Sequence, residues 1–186
     1  MKYSWILAAA LALSACEVDT PAPNETAPER QAGTVGIDFA AMPVGTQAHY
    51  RDGDGNRWTE TYRGQEGRFH VMETRVDGNV TRTHYYNRDG TLRRRVYANG
   101  NVRTFSPRRC ARVLGECRFA SSDTKPQRSS QNQGHLIQDG DIFTYTYGPT
   151  DGSRRQVFVY ELGPYNLISR ASSGQYRERL VRVVTP

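Results

Sequence analysis

Apolar and polar positions along most of this chain alternate with a period of two and do not recur at helical spacing. From about Ile37 onward the sequence is a series of short runs rich in Val, Thr, Tyr and Phe, interrupted by Gly next to Asp or Asn. That is the pattern of half-buried strands joined by tight turns. Glycines fall at Gly55, Gly67, Gly78, Gly90 and Gly100, spaced 12, 11, 12 and 10, and again at Gly140, Gly152, Gly163 and Gly174, spaced 12, 11 and 11. A strand of about six to eight residues plus a turn produces this period. Asp77-Gly78, Asp89-Gly90, Asn99-Gly100 and Asp151-Gly152 read as turn dipeptides, because glycine accepts positive φ without steric cost. The pattern predicts a single all-β domain over 37–186. It would comprise two antiparallel meanders, about 45–120 and 136–184, forming a barrel, a half-barrel or a two-sheet arrangement. The Ser- and Gln-rich segment 121–134 would join them.

Register decides which side chains share a face. Three-residue loops at Arg88-Asp89-Gly90 and Ala98-Asn99-Gly100 pair Asn87 with Thr91 and Tyr97 with Asn101, with Tyr86 facing Leu92 and Val96 facing Val102. One face then carries His84, Tyr86, Leu92, Val96, Val102 and Thr104, with Arg94 as a misfit. The other carries Tyr85, Arg93, Arg95, Tyr97 and Arg103. These five form a candidate patch for an anionic partner, since arginine bonds phosphate or carboxylate in bidentate fashion and tyrosine offers a flat amphipathic body. The plainer alternative is that arginine stems cover a solvated sheet. In the second meander Phe143, Tyr145 and Tyr147 alternate with threonines, and Val157 and Val159 are expected to face them across the Asp151-Gly152 turn. With Trp58, Tyr62, Phe69 and Val71 they make the expected core. An aromatic interior of this kind is either packed or, as in up-and-down barrels, a ligand cavity.

The part before the domain changes the picture most. Lys2 is followed by an uncharged, mostly apolar run over residues 5–13, then Ser14, Ala15 and Cys16. The run is too short to span a bilayer, which takes about 20 residues, and has the length of a signal-peptide core. Leu13-Ser14-Ala15-Cys16 resembles the lipobox of bacterial lipoproteins. The resemblance implies that the Cys16 thiol receives diacylglycerol, that residues 1–15 are removed, and that the new amine is acylated. Two or more acyl chains give a stable anchor where one is marginal. Glu17, in place of the aspartate that favours inner-membrane retention in that family, implies the outer membrane, facing the periplasm. Residues 17–36 contain Pro21, Pro23 and Pro28 and few large apolar residues. They read as a disordered tether of about 25 Å as a coil and about 60 Å extended. Separately, Tyr86-Asn-Arg-Asp-Gly90-Thr-Leu92 and Tyr97-Ala-Asn-Gly100-Asn-Val102 resemble YD or MORN-variant hairpin repeats, which implies a β-meander and no activity.

Charge and cysteines follow from that address. The formal charge is +6; Lys2 leaves with the leader and residues 17–36 carry net −3, so 37–186 carries +8, with Lys125 its only lysine. Such a balance suits an anionic lipid or cell-wall polymer as partner, and the compartment argues against nucleic acid. With Cys16 lipidated, Cys110 and Cys117 remain as an even pair in an exported protein, which reads as a disulfide. Redox pairs are usually spaced Cys-x-x-Cys. A zinc site needs further ligands, and no histidine lies between Ser106 and Ser130.

No catalytic constellation, metal set or cofactor motif is legible. His49, His70, His84 and His135 are the histidines. A three-residue loop at Val76-Asp77-Gly78 would set His70 opposite His84, whereas a two-residue turn would separate them. Glu60, Glu73 and Asp141 are scattered carboxylates. The sequence therefore points to a lipid-anchored envelope protein acting as a non-enzymatic binding or assembly module. The alternative is a periplasmic carrier or chaperone for a lipid or other apolar ligand, with a hydrolase a distant third. A large cavity is the feature that would favour the carrier.

Overall fold

The computed structural model describes residues 33–186. The leader, Cys16 and residues 17–32 lie outside the described residues. The domain is a closed barrel of twelve antiparallel strands. In chain order these are β1 (Gln47–Asp52), β2 (Arg57–Glu66), β3 (Phe69–Val76), β4 (Asn79–Tyr86), β5 (Leu92–Tyr97) and β6 (Val102–Ser106), then β7 (Gly115–Thr124), β8 (Gln127–Asp139), β9 (Ile142–Pro149), β10 (Gln156–Leu162), β11 (Ile168–Ser173) and β12 (Tyr176–Val184). Each strand pairs with its sequence neighbours, and β12 returns to pair with β1, Gln47 opposite Val184 and Tyr50 opposite Leu180. The expected all-β barrel is thus a single up-and-down ring. Glycines close the turns as the spacing predicted: Gly55, Gly78, Gly90, Gly100 and Gly174 all have positive φ.

The expected division into two meanders does not survive. Residues 121–134 are no joiner. They form the end of β7, the 125–126 turn and the first half of β8, paired from Thr124↔Gln127 to Cys117↔Gly134. Polar residues on both faces, at strand ends reaching beyond the packed interior, removed the alternation that marks a strand. The ordered domain also begins before Ile37: Thr34 bridges to Val113, and Val35 N donates to Arg112 O at 2.9 Å.

The two ends of the ring differ. Six hairpins, over 53–56, 77–78, 98–101, 125–126, 150–155 and 174–175, rim one end, which stays open. The other is stoppered by residues 33–46, the 87–91 loop and two single 3₁₀ turns, Cys110–Arg112 and Pro164–Asn166. Ile37, Phe39 and Met42 of this stopper are buried with Tyr50, Tyr62, Met72 and Leu167. Backbones meet so closely there that a Cβ on Gly36 would lie 1.7 Å from the Asp89 carbonyl oxygen. Asp89 itself is buried, accepting from Arg108 Nη1 and, at 3.0 Å, from Thr91 N.

The Cys110–Cys117 disulfide is formed. It ties the first 3₁₀ turn to β7, and Cys110 is fully buried beside Leu136, Phe119 and Tyr145. Chain-entropy arithmetic for a loop with a sequence separation of 7 gives about 2.5 kcal/mol. Reduction is expected to lower the thermal midpoint by about 5–10 °C, read as the difference between melts with and without reductant. An unchanged midpoint would contradict this role.

Candidate functional site

Alternation around the ring sends one set of side chains into the barrel. Tyr50, Trp58, Glu60, His84 and Tyr86 come from the first four strands, and Tyr145, Phe158, Tyr160, Ala171 and Glu178 from the last four. They do not fill it. A cavity of about 530 Å³ lies between them. A second of about 470 Å³ lies between Phe105, Phe119, Asn132 and Tyr147. Arg95 and Arg109 line both, so two guanidinium groups stand where the compartments meet.

Their surroundings are unusual for half-buried cations. Among the described residues neither Arg95 nor Arg109 has an ion pair; the nearby Asp123 is held by Arg103 at 2.7 Å. Arg95 Nη1 reaches the Tyr97 hydroxyl at 3.4 Å, but its Nε is buried without a partner. The Arg109 guanidinium lies 6.0 Å from the Phe105 ring centroid and 5.7 Å from that of Tyr147. Burial, followed by the charge of Arg95, pulls the Arg109 pKa below its ordinary value. Burying a cation without an anion is costly.

Two neutral groups complete the centre. His84 Nδ1 is 3.2 Å from the Tyr86 hydroxyl, while His84 Nε2 is buried without a partner. The Tyr145 hydroxyl, on a residue 1% exposed, likewise has no hydrogen-bond partner among the described residues. Burial, then Arg95, Arg82 and Arg109, hold His84 well below the usual histidine value, so it is uncharged at neutral pH. Towards the open end, Glu60 and Glu178 stand across the lumen. Burial raises both, and Glu178 adds to the rise at Glu60. Arg82 lines the cavity beside them and draws both partly back down, so the lumen has Arg95 and Arg109 at its centre and a mixed group of Glu60, Glu178 and Arg82 nearer the hairpin end.

The predicted Tyr85 patch is not one surface. The predicted tip registers hold, Tyr86 opposite Leu92 and Val96 opposite Val102. Between them, however, the β4–β5 pairing shifts, with Tyr85 opposite Arg94 and His84 opposite Arg95. This bulge at Arg93 reverses the faces beyond it. Arg95, Tyr97 and Arg103 turn into the barrel with His84. Tyr85 stays outside, its ring 3.9 Å beneath the Arg94 guanidinium and edge-on to Phe69, and Arg93 Nη1 bonds the Phe105 carbonyl. Val96, Val102 and Thr104 face outward, against the expectation for a core face.

The expected core needs a similar correction. Phe158 opposes Tyr145 and Tyr160 opposes Phe143, leaving Val157 and Val159 exposed outside. His70 pairs with Tyr86 and His84 with Met72, so the two histidines are not opposed. Among the described residues no group of three or more His, Cys, Asp or Glu is placed to hold a metal ion. Arg109 was not singled out by the sequence reading, although an arginine next to a disulfide-bound cysteine in Pro107-Arg108-Arg109-Cys110 is a fixed cation, and that was the available signal.

A titration follows from His84. Its native pKa lies below the unfolded value of about 6.5, so below that pH the unfolded chain binds a proton the native barrel refuses. Stability is then lost as pH falls, by about 1.4 kcal/mol per unit for this residue. The raised Glu60 and Glu178 act in the opposite sense at lower pH, which makes comparison with a variant necessary. Urea melts at about pH 7.5 and 5.5 should show the wild type losing about 1.4 kcal/mol more than His84→Asn. Equal losses would mean that His84 is not buried in its neutral form.

No protein-family model, curated protein or solved structure matches the chain.

Proposed function

We propose that this is a lipid-anchored envelope protein whose barrel binds and carries a small amphipathic anion in its lumen. The lipobox-like leader supports the anchor. The observation that carries the ligand is the pair of half-buried guanidinium groups, Arg95 and Arg109, facing an unfilled interior with no ion pair among the described residues. A carboxylate, sulfonate or phosphate head seated there would offset their desolvation, with the Tyr145 hydroxyl and His84 Nε2 as further hydrogen-bonding groups. The apolar body would lie along Leu92, Phe158, Tyr160 and Ile168 of the same cavity, whose size falls in the usual range for small-molecule sites. This takes the carrier reading over the assembly module, because a barrel that only presented its outside would have no need of an open, charged interior.

Calorimetric titration with decanoate and decanol tests the reading on the full chain carrying Cys16→Ser, which abolishes lipidation. Decanoate should bind once per chain and at least roughly tenfold more tightly than decanol, a difference of about 1.4 kcal/mol. Arg109→Gln should erase that preference, while Arg118→Gln on the outside should leave it. Equal binding of acid and alcohol, or an Arg109→Gln variant with unchanged preference, would overturn it.

A further inference from the structure

The outer wall formed by β11, β12, β1 and β2 carries arginines directly opposite one another. Arg170 pairs with Arg179, Arg179 with Arg51, and Arg51 with Arg57. Their inward neighbours are Ala171, Glu178, Tyr50 and Trp58, so these four point outward. Strands about 4.8 Å apart place the four in a row about 15 Å long. One pleat repeat further along, about 7 Å away, a second row runs Arg182, His49, Thr59 and Arg75.

Like charges directly opposite on a sheet destabilise it, and this wall does little to neutralise them. Glu161 reaches Arg170 at 3.9 Å at one margin, and Glu73 holds Arg75 at 3.0 Å at the other. Between the margins Arg51, Arg57, Arg179 and Arg182 have no ion pair among the described residues. Val181 and Val184, exposed on the same wall, set aliphatic side chains among the cations. The surface is dished on either side of the Arg51–Arg179 pair, with outer concavities of about 710 and 760 Å³ that both include those two residues.

We infer that this wall docks on the anionic phosphate headgroups of a lipid surface. Two parallel rows spread over several strands make an area of positive charge, where a polymer chain would need a single track. Arginines gain near an anionic surface in proportion to their number, and interspersed valines are suited to the boundary between headgroups and acyl chains. The inference concerns the outside of the barrel and stands apart from the lumen reading.

The full chain with Cys16→Ser removes the lipid anchor from the measurement. It should co-sediment with vesicles of phosphatidylcholine and phosphatidylglycerol, bind pure phosphatidylcholine vesicles weakly, and release at raised salt. Arg51→Glu with Arg179→Glu should weaken binding to the anionic vesicles by at least roughly tenfold. Arg118→Glu with Arg155→Glu, the same charge change away from this wall, should retain most of it. The milder Arg179→Gln should weaken vesicle binding while raising the melting temperature by about a degree or two, since it relieves opposed charges. That combination separates a binding role from misfolding. Failure to bind anionic vesicles would overturn the inference, as would equal losses in the two double variants. Binding to soluble polyphosphate without binding to vesicles would also overturn it, and would assign the wall to a polymer. Decanoate binding in the lumen is unaffected by any of these outcomes.

Discussion

Asp89→Ala is expected to cost the domain about 3–5 kcal/mol, the cost of removing one partner from a buried ion pair and leaving the other charged. The Asp89 side chain is fully buried and that of Arg108 is 7% exposed. One carboxylate oxygen takes Arg108 Nη1, and the other takes the amide and hydroxyl of Thr91, whose hydroxyl also accepts from Asn87 Nδ2. The Asp89 carbonyl region is where Gly36 packs, so losing the side chain loosens the stopper and the 87–91 loop together. A thermal midpoint lower by about 10 °C or more should result. Asp89→Asn keeps most of the hydrogen bonds and removes the charge, so it should still be strongly destabilised. Asp89→Asn with Arg108→Met should recover part of the loss, because no unpaired charge remains. A loss below about 1 kcal/mol for Asp89→Ala would show the pair to be solvated.

Phe39→Ala should cost a similar amount, about 3–5 kcal/mol, as deletion of a buried aromatic does. Phe39 stacks on His70 with centroids 4.5 Å apart and lies 5.0 Å from Tyr62 and 5.3 Å from Tyr86. Tyr86 is the residue that touches His84 in the lumen. The substitution therefore removes the contact by which the stopper rests on the lining of the cavity. Two measurements separate this from general loosening. Amide exchange should accelerate first in residues 33–46, and decanoate should enter and leave faster without a comparable loss of affinity. Phe39→Leu, which retains much of the volume, should cost less than about 1.5 kcal/mol. If exchange quickened evenly around the ring, Phe39 would be ordinary core.

How much of this was legible depended on whether a signal was local. Turns at Asp77-Gly78, Asp89-Gly90 and Asn99-Gly100 were readable because positive φ is met most cheaply by glycine, and the disulfide was readable from an even pair of cysteines. The same Asp89-Gly90 dipeptide shows the limit. As a turn it was visible, but as the buried partner of Arg108 it was not, because that partnership spans nineteen positions. The faces were lost at one residue. Arg93 sits in a bulge, no composition rule marks a bulge within an arginine run, and one extra residue exchanges inside for outside. A rule that assigns charged residues to solvent then placed Arg95 and Arg103 outside, when the lumen is where their charge matters. The row of opposed arginines on β11, β12, β1 and β2 was equally hidden, since it depends on pairing β1 with the last strand.

That last pairing also sets when the fold can exist. The contacts between β1 and β12 join residues more than a hundred positions apart, the longest loop the chain has to close, and loop closure precedes the contacts that reward it. A chain lacking its final nine-residue strand would expose two free sheet edges, on β1 and β11, each able to pair with another molecule. Completion of the ring therefore waits on β12, and until it pairs the barrel is an open sheet in need of protection. Afterwards no barrel strand among the described residues keeps a free edge for a partner to extend, so recognition by the ring has to pass through side chains.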